Sequence, residues 1–392
     1  MKIAITKKDC CGCHACANRC PKQCITMVRD PEGFLYPQVD ESQCIQCGLC
    51  EKVCPVINAV VPDASASPAA FAAMNEENQV RLESSSGGVF SALAKTVLAE
   101  NGVVFGAAWT EDFKEVHHVA VTDVADLGAL RGSKYVQSTV GTCYAQAKEA
   151  LDQGRQVLFS GTPCQVEGLH TFLGKPYENL LTVDIVCHGV PSPSVWRRYL
   201  EECEKANGAP ARDVQFRNKD TGWSSSAVKV VFANGKVQSR VLSEDYFVNA
   251  FLRNACLRPS CHDCRFKKLN RVSDVTLADF WGVEAICPEM DDDKGTSLVL
   301  VHSEKGQKLL EQLPLKLCSV DLQAALKENH CAVKSSPVHP NRDAFMKALE
   351  TQSFAQAVRD HVPRQISLKE RIANTLARMG ILFLVRKLLG KR

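Results

Sequence analysis

Residues 156–186 run Gln156-Val157-Leu158-Phe159-Ser160, Gly161-Thr162-Pro163, Cys164 to Leu173 closed by Gly174, and Leu181-Thr182-Val183-Asp184-Ile185-Val186. The first and last runs are short, apolar and β-branched, as buried strands are. Gly-Thr-Pro is a tight turn, and the middle segment has the length of a short helix stopped by glycine. Strand, helix and strand in succession imply parallel pairing, because a crossover must return the chain to the same direction. Cys164 and Cys187 then fall just past the carboxyl ends of the two strands. In open α/β sheets that edge is where ligand crevices form.

Similar signals flank this unit. Gly88 to Glu100 has helical spacing and stops at Asn101-Gly102, Val103 to Ala108 is a strand, and Thr142 to Gln153 is a helix ended by Gly154. Val228 to Leu242 reads as a hairpin turning at Asn234-Gly235. Leu298 to His302 and Lys305 to Leu313 read as another strand and helix. Alanine, serine and proline crowd the stretch near Pro55 to Ala73, the composition of a linker. The expected organisation is a small module over 1–58, a linker over 59–75, body regions over 76–154 and 155–345, and a helical tail over 346–392. The fold class is α+β or α/β, with a ferredoxin-like N-terminal domain, a mixed α/β body containing the parallel βαβ unit, and the helical tail.

The chain has 392 residues, 45% apolar and 23% charged, enough for a sizeable core. Its net charge of only +3 gives no whole-molecule field suited to nucleic acid. The start lacks the apolar run of a signal peptide, and no apolar stretch nears the ~20 residues of a membrane span. Cysteine is the anomaly at 20 residues. In a chain of this length, thiols in a reducing cytoplasm that bind metal are the plain reading.

Half of those cysteines precede residue 55. Cys10, Cys13, Cys16 and Cys20-Pro21 form C-x-x-C-x-x-C-x-x-x-C-P, and Cys44, Cys47, Cys50 and Cys54-Pro55 repeat it. A short loop presents three thiolates to one 4Fe–4S cubane, and the fourth cysteine reaches across to the other cluster. One cluster is expected on Cys10, Cys13, Cys16 and Cys54, the other on Cys44, Cys47, Cys50 and Cys20. Cys24 to Val28 and Phe34 to Val39 pair as strands between the loops. Zinc sites lack this crossed, proline-terminated pattern. Cys11 and Cys24 are surplus and read as packing residues.

A third group, Cys256, Cys261 and Cys264, follows a helical segment over Glu244 to Ala255. Three cysteines need a fourth for a cubane, and either Cys187 or Cys164 supplies it from the strand edge. A structural zinc site is the rival. Cys143, Cys203, Cys287, Cys318 and Cys331 are scattered and read as small buried apolar residues.

Three loops suit a phosphate. Ser84-Ser85-Ser86-Gly87-Gly88 runs into a helix, where free amides and the helix dipole attract anions. Arg131-Gly132-Ser133-Lys134-Tyr135 adds cations, and Gly161-Thr162-Pro163-Cys164-Gln165 is a second glycine-led loop; each alone also reads as a plain cap. Iron–sulfur clusters pass one electron and organic hydride donors pass two, so a flavin is the expected converter.

Ser86-Gly87-Gly88-Val89-Phe90, Lys134-Tyr135-Val136-Gln137-Ser138, Gly161-Thr162-Pro163-Cys164-Gln165, Cys187-His188-Gly189-Val190-Pro191, Cys261-x-x-Cys264 and Asp279-Phe280-Trp281-Gly282 together resemble the family of coenzyme F-420 hydrogenase/dehydrogenase beta subunits over roughly residues 70–340. Ala278 departs from the glycine expected there. The resemblance implies FAD, a nearby iron–sulfur cluster, and electron transfer between a deazaflavin or other hydride carrier and iron–sulfur partners. By position it assigns Ser86, Gly87, Gly88, Lys134, Thr162 and Gln165 to the flavin. His188 is the candidate for proton handling, and a histidine hydrogen-bonded within its turn is the plain alternative. Asp279 with Trp281 orders a cofactor or a loop, or is a capping carboxylate.

The tail carries Lys369, Arg371, Arg378, Arg386, Lys387, Lys391 and Arg392 against Glu370 alone, so the rest of the chain is net acidic. Ile372, Leu376, Met379, Phe383, Leu384 and Leu388 make one apolar face at helical spacing. Such a face packs on its own domain, docks a partner or lies on an anionic membrane. The expected protein is an FAD- and iron–sulfur-dependent oxidoreductase, cytoplasmic or peripheral at the inner membrane surface, working with a redox partner protein or hydride carrier. A non-catalytic relay subunit and a protein with structural clusters are the rivals. Oligomeric assembly is compatible with all three.

Overall fold

The computed structural model describes residues 3, 5–60, 67–364, 366–380 and 382–388. Residues 61–66 of the expected linker and the tail cations Lys391 and Arg392 lie outside the described residues, as do the side chains of Arg386 and Lys387.

Strands β1 (Ile25–Arg29) and β2 (Leu35–Val39) pair antiparallel between the cysteine loops, from Ile25 opposite Val39 to Arg29 opposite Leu35. Asp30 closes their turn by accepting a hydrogen bond from the Phe34 amide at 3.0 Å.

The body strands are β3 (Ala69–Asn75), β4 (Val103–Trp109), β5 (Val116–Val121), β6 (Ser138–Thr139), β7 (Val157–Gly161), β8 (Leu180–Ile185), β9 (Ala211–Asn218), β10 (Ala227–Phe232), β11 (Val237–Val241), β12 (Val275–Asp279), β13 (Ser297–Val301) and β14 (Leu315–Ser319). Nine form one sheet, in the order β14-β3-β13-β12-β8-β7-β4-β5-β6. Its middle, β12-β8-β7-β4, is parallel, and β13, β3 and β14 continue antiparallel. The expected βαβ unit is β7, the helix Pro163–Leu173 and β8. Thr162 and Gln165 form a capping box with Pro163 at the first turn, and Gly174 ends the helix with a positive φ. Val157, Leu158, Phe159, Leu181 and Val183 are buried, as parallel strands covered on both faces must be. A separate three-stranded sheet, β11-β10-β9, holds the expected hairpin.

Three expectations are corrected, and the two expected body regions prove to share one sheet. Residues 69–75, assigned to the linker, form β3 between β13 and β14. Alanine is a weak strand former, yet Ala70, Ala72 and Ala73 are buried by pairing on both sides, and tertiary context overrides propensity. The regions 76–154 and 155–345 share this one sheet, because β4 pairs with β7. Cys287 and Cys318, read as isolated apolar residues, are joined by a disulfide with Cα atoms 7.2 Å apart; β14 brings Cys318 to the turn after the helix Val283–Ile286. The single apolar tail face is divided, since Gly380 at φ 70° breaks the helical phase between Leu368–Arg378 and Leu382–Leu388. Ala377 and Leu382 pack against Val241 with Leu376 beside them, while Leu368, Ile372, Met379, Leu384 and Leu388 are exposed. Among the described residues no helix is long and apolar enough to cross a membrane.

The N-terminal module shares a core with the body. Cys13, Val53, Cys54 and Val56 cluster with Tyr144, Val166, Leu169 and Phe172. Gly168 permits the approach: a Cβ there would stand 3.0 Å from the Cys13 Cβ. Polar ties surround the seam, including Thr171 Oγ1 donating to the Val53 carbonyl at 2.7 Å and Arg342 Nη1 donating to Glu32 at 2.8 Å.

Candidate functional site

The cysteine loops repeat in backbone as well as in sequence. Gly12 and His14 have φ of 68°, and the equivalent Gln46 and Gly48 have φ of 54° and 71°. These left-handed residues curl both loops in the same way, and the short helices Ala15–Arg19 and Leu49–Lys52 follow. Cys20 lines a pocket of about 390 Å³ with Cys44, Cys47 and Cys50. Burial pushes the Cys16 thiol up to about 12, with further contributions from Cys10 and Cys54 beside it. Cys20 thus lies with the second loop's cysteines, and Cys54 lies within electrostatic reach of both Cys10 of the first loop and Cys50 of its own. Cys24 also lines the second loop's pocket, its sulfur 3.4 Å from that of Cys20. Cys47 is exposed, whereas Cys10, Cys13 and Cys54 are buried.

A second cavity, of about 620 Å³, opens at the carboxyl edge of the parallel strands. Cys164 and Cys187 line it from just past β7 and β8, and Cys261 and Cys264 from the turn around Pro259–Asp263. The sequence offered Cys187 or Cys164; the fold presents both. It withdraws Cys256, which is fully buried in the apolar cluster of Trp196, Phe247 and Phe251. Burial raises the Cys187 thiol well above its usual range and the Cys261 thiol to about 12. Hydrogen bonding to Cys11, then burial, raises Cys164 in the same way. Cys11 itself lines the cavity, against the expectation of a plain packing residue. Its position between two ligand-spaced cysteines was the available signal.

The loop over Ser84–Gly88 meets the loop over Arg131–Tyr135. Ser133 donates to Ser85 Oγ from its amide at 2.6 Å and its hydroxyl at 2.9 Å. Arg131 bonds Ser91 and Glu83 at the start of the helix Val89–Ala99. Lys134 Nζ donates to the Arg131 and Gly132 carbonyls, leaving one of its three donors, and burial lowers its pKa to about 7. Ser86 donates to the Thr296 carbonyl. Gly87 is demanded by the backbone, since a Cβ would lie 2.2 Å from the Ala73 carbonyl oxygen, and Gly88 is the helix N-cap. Thr162 lines the cysteine cavity, and Gln165 is engaged by the helix cap and the Ser138 carbonyl.

Three residues that the sequence did not single out, Lys219, Trp223 and Arg217, join Asp279 and Trp281 to complete this cleft. Lys219 Nζ donates to the carbonyls of Arg81, Ser86 and Lys294, and burial lowers its pKa to about 7. Trp223 and Trp281 stack with centroids 5.1 Å apart, and the Arg217 guanidinium lies 5.0 Å over Trp281. Asp279, at the end of β12, pairs with Arg217 at 3.1 Å. No sequence signal links β9 to β12; only the tertiary fold does.

His188 follows Cys187. Its Nε2 bonds Asn254 Oδ1 at 2.7 Å, its Nδ1 faces Cys331 Sγ at 3.7 Å, and burial lowers its pKa. Phe251 stands between the His188 and Tyr135 rings, at 5.0 and 4.9 Å.

Comparison with known proteins agrees with this division of the chain. Residues 9–58 match the 4Fe-4S dicluster domain. Residues 70–143 and 154–318 match the N-terminal and C-terminal parts of the coenzyme F420 hydrogenase/dehydrogenase beta subunit. One subunit of the F(420)H(2) dehydrogenase of Methanosarcina mazei is 25% identical over 72% of this chain and 80% of its own length. The coenzyme F420-dependent sulfite reductase of Methanocaldococcus jannaschii is 24% identical over 78% of this chain, which spans 46% of that longer protein. A chain of the xenon-derivatised F420-reducing NiFe hydrogenase complex from Methanosarcina barkeri aligns over 77% of this chain and 95% of its own, with 16% identity and a TM-score of 0.45. The family match runs from β3 to β14, through both cysteine-bearing strand ends and the cleft, and this chain belongs to the family of coenzyme F420 hydrogenase/dehydrogenase beta subunits.

Proposed function

We propose that this chain is an iron–sulfur flavoprotein oxidoreductase, exchanging electrons between its ferredoxin module and a hydride carrier through FAD held in the body cleft. The observation that carries the reading is the succession of three cysteine sets. The Cys20, Cys44, Cys47 and Cys50 set reaches the surface, the Cys10, Cys13, Cys16 and Cys54 set is mostly buried, and Cys164, Cys187, Cys261 and Cys264 line the cavity beyond it. All twelve are free thiols. Sets made wholly of thiolates, two of them in the proline-terminated ferredoxin spacing, suit 4Fe–4S cubanes.

A 4Fe–4S cluster supplies single-electron capacity, and a flavin supplies exchange between hydride and single electrons. For the flavin, the chain offers the N-terminus of the helix Val89–Ala99, the spare donor of Lys134 and the half-exposed Trp281 platform. The buried Nε of Arg217 under that platform has no hydrogen-bond partner among the described residues, as a group awaiting an acceptor would. His188, bonded through Nε2 to Asn254 Oδ1 and with its pKa lowered by burial, is the candidate to keep or move a proton at Nδ1. Two relatives are named for coenzyme F420, which supports a deazaflavin as the hydride carrier. Ile45, 57% exposed beside Cys47, offers an apolar contact for a redox partner protein. Protein purified without oxygen should contain roughly twelve irons, matching sulfide and one FAD per chain. Flavin-free protein with roughly eight irons would overturn the reading.

The tail is the proposed attachment to an anionic membrane surface on the cytoplasmic side. Leu368, Ile372 and Met379 lie exposed along one helix with Lys369 and Arg371 between them. The full chain should float with anionic vesicles at low salt, and a chain ending at residue 365 should not. Equal flotation of the two would exclude the tail.

A further inference from the structure

Arg258 is a fully buried cation at the seam between module and body, without an acidic partner among the described residues. Nε donates to the Cys10 carbonyl at 2.7 Å, Nη1 to Gln137 Oε1 at 3.0 Å and Nη2 to the Leu35 carbonyl at 2.9 Å. The guanidinium lies over the Tyr36 ring at 4.2 Å and the Phe34 ring at 5.4 Å. Among the described residues no carboxylate lies within 4.0 Å of it. An arginine withdrawn from water without a counter-charge is strongly disfavoured, so a buried one marks the place of an anion.

Two positions around the side chain can hold that anion. Arg258 Nη2 stands 3.8 Å from Cys10 Sγ, the first thiol of the inner ferredoxin set. The same residue lines the cavity of Cys164, Cys187, Cys261 and Cys264, and its charge acts on the Cys164 and Cys261 thiols. Gly12 is shaped around it, since a Cβ at that residue would stand 2.8 Å from Nη1. Cys11, between Cys10 and Gly12, has its thiol within bonding reach of Cys164. One residue of backbone and one guanidinium thus separate the inner set from the cavity.

We infer that Arg258 is a positioning residue that acts as the shared counter-cation of the inner ferredoxin cluster and of the cavity's cluster, and thereby makes both easier to reduce than the outer cluster. A cluster with its four thiolates is anionic, and one added electron makes it more so by one charge; that electron comes from the external reductant in titration and from the hydride carrier in turnover. A fixed cation and an N–H aimed at a ligand sulfur both favour the more negative form. The effect on the inner cluster rests on the dicluster domain alone. The effect on the cavity rests also on the proposed third cluster.

The test is a dithionite titration of the full-length, cluster-loaded protein followed by electron paramagnetic resonance, comparing wild type with Arg258→Met, Arg258→Lys and Arg342→Gln. In Arg258→Met the ratio of reduced to oxidised inner cluster at a given potential should fall about tenfold, a downward shift of about 59 mV for one electron. The cavity cluster should shift the same way and the outer cluster should not move. Arg258→Lys should restore most of the shift. Arg342→Gln, which loosens the module from the body without touching Cys10, should leave all midpoints in place. Unchanged midpoints in Arg258→Met at full iron content, or an equal shift in Arg342→Gln, would overturn the inference. Loss of the cavity signal in wild type would instead remove the third cluster while the inner-cluster shift still decides Arg258. Should the variants fail to fold, wild-type protein labelled with nitrogen-15 arginine provides the decision. Its reduced inner cluster should show a nitrogen-15 hyperfine coupling, and absence of that coupling would overturn the proposal.

Discussion

Alanine at Cys54 should remove the inner ferredoxin cluster, about four irons per chain, although Cys54 lies in the second cysteine loop. Cys54 stands beside Cys10 and Cys16, whereas Cys20 shares its pocket with Cys44, Cys47 and Cys50. Under the proposed crossed ligation each fourth cysteine is a bridge, and losing one should damage the cluster of the opposite loop. Iron and sulfide per chain give the size of the loss, and paired variants give its identity. Cys54→Ala and Cys13→Ala should leave the same residual spectrum on reduction, and Cys20→Ala and Cys47→Ala should share a different one. Cys54→Ala matching Cys47→Ala would show uncrossed ligation. Cys54→Ala should also lower thermal stability more than Cys47→Ala. Cys54 packs in the core shared with Tyr144, Val166 and Leu169, and Cys47 is exposed, so metal-linked folding energy is lost in different surroundings.

The second large effect is expected at the cavity. Cys261→Ala should lose about four irons while both ferredoxin signals persist, and Cys187→Ala should behave alike. Cys256→Ala should keep full iron, although Cys256 lies five residues before Cys261. Its thiol is buried among Trp196, Phe247 and Phe251, so the expected effect there is a cavity term of about 1–2 kcal/mol in unfolding. Iron assay separates these outcomes directly. Iron loss from Cys256→Ala with none from Cys261→Ala would reverse the assignment.

The cavity also decides what the cleft can do. Asp279 and the strand ends carrying Cys164 and Cys187 leave the same edge of the sheet, because β12, β8 and β7 run parallel side by side. The Trp281 platform and the cysteine cavity are therefore neighbours by strand order, with Phe251 and Tyr135 packed between His188 and the cleft. That adjacency supports one electron-transfer unit in the body rather than two unrelated sites.

What the sequence determined is local. Ligand spacing within ten or eleven residues names the cubane loops, because the metal itself imposes the geometry on a short segment. Apolar runs bounded by Gly161-Thr162-Pro163 and Gly174 mark the βαβ unit, and Asn234-Gly235 marks a hairpin, because turns and caps act over a few residues. The loops of Ser84–Gly88 and Arg131–Tyr135 were visible as candidates, but not the fact that Ser85 and Ser133 bond each other. Only the tertiary structure decided which cysteines share the cavity, that Cys256 does not, and that alanine-rich residues 69–75 are a strand paired on both sides within the sheet rather than a linker. It alone joined Arg217 of β9 to Asp279 of β12 and buried Arg258 against Cys10. These contacts span tens to hundreds of residues and are set by strand order and by burial of one surface on another, for which neither spacing nor propensity leaves a mark in the chain.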